Sequence, residues 1–312
     1  MRIVFHASRR TSPLRPPARG SSNPVQPPGL FFRFFQTIQS ANPSMGMRFQ
    51  ILGSGSAGNC ALLLTDHARI LVDAGFSARR LNQLIREAGA DLSQIDAVFI
   101  THEHSDHVAG IEGLKRYPNI ELFANAGTAR AVQNKLEYRP RWRIFETGAR
   151  FTFRDLEIES FHIPHDAQEP VGYTFTHGQG REGDLFSSPR RIAWLSDMGH
   201  APDHIRERIR EADAVVMESN HCPRLLEADH RRPWSTKQRI AGRHGHLSNE
   251  LACELLASVA SPRWQHIVLT HLSRDCNTLD AVEQTFATLR ARLTCQFAIV
   301  PPGGGTALVE LR

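Results

Sequence analysis

Thr101-His102-Glu103-His104-Ser105-Asp106-His107 follows directly on the apolar run Ala97-Val98-Phe99-Ile100, and the reading of the fold starts at that junction. Five of the seven side chains can hold a metal. Residues two apart in an extended strand share a face, so a strand ending here throws His102 and His104 to one side. A helix starting at about Asp106 returns Asp106 and His107 toward the same point from its first turn. The pattern H-x-H-x-D-H therefore predicts two pairs of ligands for two adjacent divalent cations. Imidazole nitrogen and carboxylate oxygen, without thiolate, suit zinc or manganese. A solvated polar loop has no need of three histidines and an aspartate so placed.

At 312 residues the chain can bury one sizeable catalytic core. No apolar run reaches membrane-spanning length, so no membrane partner is expected. Cys60, Cys222, Cys253, Cys276 and Cys295 are odd in number and form no C-x-x-C pair, which predicts reduced thiols in a cytoplasmic enzyme. The net charge of +5 belongs to the leader: residues 1–46 hold six arginines and no Asp, Glu or Lys, so 5 minus 6 leaves −1 for the rest. Rich in Pro, Ser and Gly, this leader is expected to be disordered. An organelle transit peptide, a basic arm touching nucleic acid and a start codon placed too early all fit its composition. We favour the last, because Met45 or Met47 would begin the protein right before a clean strand. The catalytic domain is then 47–312.

From Arg48 onward, short apolar strands alternate with turns and helices. Strands are expected at 49–52, 60–64, 69–73, 120–124, 150–153, 156–161, 171–176, 191–195, 214–217, 267–270 and 297–300. Helices are expected at 78–88, 108–116, 248–257 and 279–293. The glycine-rich Gly53-Ser54-Gly55-Ser56-Ala57-Gly58-Asn59 opens onto a strand instead of a helix, so it reads as a tight hairpin and fails the context test for a dinucleotide loop. Mixed strands with helices on both outer faces predict a mixed α/β fold of two packed sheets, layered αββα.

Two strands end in a polar residue that a core would reject: Ile70-Leu71-Val72-Asp73 and Ala193-Trp194-Leu195-Ser196-Asp197. Read with the histidines, Asp197 is a candidate bridging carboxylate, since one aspartate can offer an oxygen to each of two cations. Asp73 fits a post behind the ligands, accepting a hydrogen bond from an imidazole and fixing its tautomer. His165 and His271 each closely follow a hydrophobic strand, as His102 does, and are selected on that ground from the sixteen histidines.

Asp73, the His102–His107 motif, His165, Asp197 and His271 fall in the order and approximate spacing of the metallo-β-lactamase fold hydrolases, which this chain resembles from Arg48 to its C-terminus. Within that superfamily it is most similar to the YycJ/WalJ type, on Gly53–Asn59, His165-Asp166-Ala167, Glu218-Ser219-Asn220-His221, Gly245-His246-Leu247-Ser248-Asn249 and His271-Leu272-Ser273-Arg274-Asp275-Cys276-Asn277. Cys222 departs from the type, and no role is assigned to it. The leader has no counterpart there. The resemblance implies a four-layer αββα sandwich with His102, His104 and His165 on one metal, Asp106, His107 and His271 on the other, and Asp197 between. His246 matches a Gly-His-x-Ser histidine that ribonucleases of the J type place beside the scissile phosphate, although a plain helix-start histidine is its alternative. Asp106, Asp197 and His246 are thus the expected catalytic residues.

Members of the YycJ/WalJ type are regarded as metal-dependent nucleases, including 5′-to-3′ DNA exonucleases, so DNA is the expected substrate in preference to RNA. Two divalent ions about 3.5 to 4 Å apart can share a water, lower its pKa toward roughly 7 and present a bridging hydroxide to a phosphodiester. Between Arg224 and His246 the chain carries six bases against Glu227 and Asp229, or 6 minus 2, a formal +4. Arg231, Arg232, Lys237, Arg239 and Arg243 are candidates for tracking phosphates there, and Trp234 for stacking on a base. A solvated face is the alternative for the bases. A small-molecule hydrolase of thioesters, lactones or β-lactams uses the same kind of cage, as does a phosphonate-pathway phosphodiesterase, and a non-catalytic metal-binding scaffold is the third alternative.

Overall fold

Val98 and Phe99, neighbours in the run before the metal motif, point into different cores. The computed structural model describes residues 46–178 and 188–311. Phe99 packs between two sheets with Phe49, Tyr173, Phe175 and Trp194. Val98 packs outward with Leu71, Leu81 and Ile85. The second sheet repeats the pattern: Trp194 and Val216 face the middle, while Leu195 and Val215 face Ile205, Ile209 and Phe286 on the other side. Strands buried on both faces read as continuous apolar runs. Three cores separate four layers, and the αββα sandwich expected from the sequence is the fold observed.

The first sheet takes β1 (Arg48–Gly53), β2 (Cys60–Leu64), β3 (Arg69–Val72), β4 (Ala97–Phe99), β5 (Glu121–Asn125) and β6 (Arg141–Phe145). The second takes β7 (Arg150–Phe153), β8 (Leu156–His162), β9 (Val171–His177), β10 (Arg190–Leu195), β11 (Ala214–Glu218), β12 (His266–Thr270) and β13 (Gln296–Ile299). The last strand, β14 (Val309–Glu310), returns to the first sheet and pairs with β1. Helices α1 (Ala78–Glu87), α2 (Ser105–Val108) and α3 (Ala126–Gln133) accompany the first sheet. Then come α4 (Asp203–Glu211), α5 (Pro223–Ala228), α6 (Trp234–Ile240), α7 (Asn249–Ser258) and α8 (Leu279–Arg290), of which α4, α7 and α8 cover the second sheet. β6, β14 and the helices α3 to α6 are elements the sequence reading leaves unassigned.

Both sheets follow one plan. The order β14-β1-β2-β3 is antiparallel and β3-β4-β5-β6 parallel. Likewise β7-β8-β9-β10 is antiparallel and β10-β11-β12-β13 parallel. Ligand sites of α/β sheets gather outside the carboxyl ends of such parallel strands. Asp73 follows β3, the metal motif follows β4, Asp197 follows β10 and His271 follows β12.

The helix expected over 108–116 is not formed. In its place stand the single turn of α2 and a 3₁₀ segment, Ile111–Arg116. The cause is competition for backbone groups. The carbonyls of Asp106 and His107 accept the amides of Asn59 at 2.7 Å and Ala74 at 2.8 Å, so the His107 carbonyl that a helix over 108–116 would offer to Ile111 is engaged, and the Gly110 amide donates to the Ala74 carbonyl at 2.7 Å. The expectation of a disordered leader falls on residues 1–45 and lies outside the described residues.

The same crossing makes Gly75 irreplaceable by size alone, because a Cβ there would lie 1.7 Å from the Asp106 carbonyl oxygen and 2.7 Å from the Asn59 nitrogen. Gly75→Ala is expected to cost about 1–3 kcal/mol or more, as overpacking does. Urea unfolding of the metal-free protein measures it, and an unchanged midpoint would contradict the packing described.

Candidate metal centre

Asp73, Asp197 and His271 have φ of 59°, 53° and 55°, and with Arg154 they are the non-glycine residues of left-handed backbone among those described. Aspartate and histidine tolerate that region better than most residues. Each lies just past the end of a strand, and its side chain meets the cluster of imidazoles and carboxylates there. Strained backbone of this kind collects at functional sites.

The seven candidate ligands meet there. One nitrogen each from His102, His104 and His165 lie within 4.8 Å of one another, and so do one atom each from Asp106, His107, Asp197 and His271. Asp197 joins the two sets: its Oδ2 is 3.2 Å from His102 Nε2 and 2.8 Å from His107 Nε2. His165 Nε2 stands 3.3 Å from His104 Nδ1. Ligand atoms about 2.0–2.1 Å from a zinc ion at tetrahedral angles stand about 3.3 Å apart.

Which ring nitrogen faces the centre follows from what the other nitrogen does. His107 Nδ1 donates to Asp73 Oδ2 at 2.8 Å, and His165 Nδ1 to the Gly245 carbonyl at 3.0 Å. Thr101 Oγ1 donates to Asp73 Oδ2 at 2.9 Å, so it accepts from His102 Nδ1 at 3.0 Å. His271 Nδ1 is 3.3 Å from Glu218 Oε2. With Nδ1 so engaged, each of the four rings, once neutral, has its lone pair on the Nε2 that faces the centre.

Three buried central atoms, His102 Nε2, His271 Nε2 and Asp197 Oδ1, have no hydrogen-bond partner. His271 Nδ1 comes within 2.6 Å of Asp197 Oδ1 but not at hydrogen-bond angles. Lone pairs converging without hydrogen bonds are what a cation requires, and the donor set fits zinc or manganese. The electrostatics set the imidazoles apart from one another. Burial and the neighbouring His107 push His102 down to about 3, a neutral imidazole. Burial opposes ionisation of Asp106 and Asp197, yet His271 and His107 hold both carboxyls below the usual range, Asp106 at about 2. Burial also opposes charge on His107, but Asp197 and Asp73 raise it to about 10.

Glu218, fully buried at the end of β11, is a site residue to which the sequence reading gives no role. Its Oε1 accepts the amides of Met198 at 2.5 Å and Leu247 at 3.0 Å, and its Oε2 faces Nδ1 of His246 at 3.0 Å and of His271 at 3.3 Å. Glu218 also lies within 4.8 Å of Asp197, His246 and His271, atom to atom, a third group that could hold a cation, but both of its oxygens are engaged as braces of amides and imidazoles. A carboxylate closing an apolar strand is the signal that picked out Asp73 and Asp197, and it applies equally to Ala214-Val215-Val216-Met217-Glu218. Asn59 and Ser54 are further braces: Asn59 Nδ2 lies 3.4 Å from Asp106 Oδ2 and 3.1 Å from His107 Nε2, and Ser54 Oγ accepts the His271 amide at 2.8 Å. His246 is brought to the same place, its ring 5.1 Å from that of His165 and 5.3 Å from that of His271.

The basic segment is less bare than its composition. Arg231 pairs with Asp229 at 3.3 Å and Asp275 at 3.0 Å. Arg232 pairs with Asp229 and, at 2.9 Å, with Asp275, and Arg239 pairs with Asp166 beside His165. Lys237 donates to the Glu227 carbonyl at 2.6 Å, and Arg243 lies 3.4 Å from the His200 ring. Trp234 leaves 66% of its surface exposed. Cys222 is buried at the start of α5 and apart from the ligand groups.

The sequence profile of the beta-lactamase superfamily domain matches residues 68–272. The exodeoxyribonuclease YycJ of Bacillus anthracis is 37% identical over 235 residues, 75% of this chain and 85% of its own. The exodeoxyribonuclease WalJ of Streptococcus pneumoniae is 34% identical over 253 residues, 80% of this chain and 90% of its own. Among solved structures, the metallo-beta-lactamase fold protein YhfI of Bacillus subtilis superimposes with a TM-score of 0.60 at 18% identity, covering 83% of this chain and 99% of that one. On this footing the chain is a metal-dependent hydrolase and belongs to the metallo-β-lactamase fold superfamily, among relatives of the YycJ/WalJ type.

Proposed function

We propose that the chain is a dinuclear phosphodiesterase that degrades DNA from the 5′ end, with His102, His104 and His165 on one divalent ion, Asp106, His107 and His271 on the other, and Asp197 shared. The observation that carries this reading is the position of Asp197 Oδ2 between His102 Nε2 and His107 Nε2, one atom from each ligand set. The substrate is taken from the relatives, which are exodeoxyribonucleases by name at 34–37% identity over most of both chains. Bound zinc or manganese would supply hydroxide at neutral pH and offset charge growing on the phosphoryl oxygens.

His246 is the proton donor in this reading. Its Nδ1 is committed to Glu218, which leaves Nε2 free. Burial disfavours the imidazolium, but the adjacent Glu218 carboxylate outweighs burial and raises its pKa. A proton held on Nε2 can pass to the departing alkoxide or to a non-bridging oxygen. Asp73 and Thr101 act at one remove, keeping the rings of His107 and His102 in register.

Asp106→Ala or His102→Ala should lower metal content on elemental analysis and abolish cleavage of an oligonucleotide, and undiminished activity would refute the ligand assignment. Asp73→Asn should keep the fold and weaken metal binding about 10- to 100-fold, as loss of an outer hydrogen-bond partner does, measured by competition with a chromogenic chelator. Loading the metal-free protein should release protons, because His107, with its pKa near 10, must give one up at pH 7. Affinity therefore rises with pH toward 10, and an indicator-dye titration with no proton release would count against His107 as a ligand. Digestion of 5′- and 3′-labelled DNA beside bis-p-nitrophenyl phosphate, a thioester and a β-lactam tests substrate and polarity together. Faster turnover of the thioester or β-lactam would favour the acyl hydrolase.

A further inference from the structure

A cavity of about 390 Å³ opens beside His246. That is within the range of roughly 300–1,000 Å³ typical of small-ligand sites. Pro223, Leu226, Leu251 and Trp234 make most of its lining apolar, and His221 and His246 line it too. Two features set it apart from a packing defect. Trp234 is 66% exposed and Leu251 47% exposed, large apolar surface that the fold leaves uncovered at the same opening. His246 belongs both to this lining and to the metal centre, with Nδ1 3.7 Å from Asp197 Oδ1.

An occupant of the cavity is thus only one residue away from the candidate ligands. It needs a flat apolar face for the indole and a polar edge for the His246 imidazole, which is the description of a nucleobase. Stacking on an indole accepts any base, because every base has a π-face. A paired and stacked base in a duplex offers no free face, so the base that enters must be unpaired.

We propose that this cavity receives the unpaired base of a nucleotide flanking the scissile phosphodiester, stacked on Trp234 with its polar edge toward His246. The inference rests on the phosphodiesterase reading above and adds to it a single-stranded or frayed terminus as the substrate form.

The test uses the full chain loaded with manganese or zinc and single-stranded DNA in which one abasic residue is stepped inward from the attacked end. kcat/KM is read at each register from product lengths. One register, next to the bond cut, should lose about tenfold to a hundredfold, the usual worth of one stacked base. In Trp234→Ala the ratio of intact to abasic rates at that register should fall toward one, and in Trp234→Phe most of it should return. A merely structural tryptophan would lower both rates and leave the ratio alone. DNA cut equally fast with and without the base at every register overturns the pocket and leaves the phosphodiesterase standing. Failure to cut any oligonucleotide overturns both.

Discussion

The candidate metal centre hangs on one buried carboxylate. Asp73, 2% exposed, accepts the Thr101 amide at 2.8 Å, the Thr101 hydroxyl at 2.9 Å and His107 Nδ1 at 2.8 Å. The amide bond ties the end of β4 to the end of β3, so the motif begins at a defined point. The imidazole bond sets the His107 tautomer directly, and the hydroxyl passes the same instruction to His102. A carboxylate out of water is tolerable only when its lone pairs are satisfied, and here their satisfaction is what orders the ligands.

Behind that carboxylate stands an aromatic block. Phe99 stacks on Phe123 with centroids 4.5 Å apart and meets Tyr173 and Phe175 edge-on, while the Tyr173 hydroxyl donates to the Ile100 carbonyl at 2.6 Å. The strand entering the motif is therefore fixed by packing on one side and by a hydrogen bond on the other. The second sheet answers with Glu218, which does for His246 and His271 what Asp73 does for His107 and His102. Each sheet contributes candidate ligands beyond the ends of its strands and one carboxylate to hold its own imidazoles. The division of labour follows from two sheets built on one plan and packed face to face.

Much of this was legible in the sequence, for identifiable reasons. Strands such as Ala97–Phe99 and Ala214–Glu218 are apolar throughout because both faces are buried, and apolar runs survive any amount of context. The H-x-H-x-D-H spacing is local, so it too could be read directly. What escaped depends on distant partners. Asn59 meets Asp106 across 47 positions, Ser54 meets His271 across 217, and neither contact leaves a trace in local pattern. The 108–116 helix is absent for the same reason, since Ala74 takes the His107 carbonyl it would need. In α4 only Ile205 and Ile209 are buried, and β6 is a five-residue strand at a sheet edge, so each offers few apolar residues to a sequence reading. The composition of the run from Arg224 shows its bases but not that Asp229, Asp275 and Asp166 meet three of its arginines.

The left-handed backbone at Asp73, Asp197 and His271 carries a consequence for the life of the molecule. Each such residue costs of order 1–3 kcal/mol, a debt the bare polypeptide carries at the very rim where its charges also crowd. Whatever binds the native form and not the unfolded chain adds to its apparent stability in proportion to the logarithm of its concentration. On the proposed ligand set, a cell's supply of cations would therefore govern how long each copy survives proteolysis, and quality control would remove unloaded copies first.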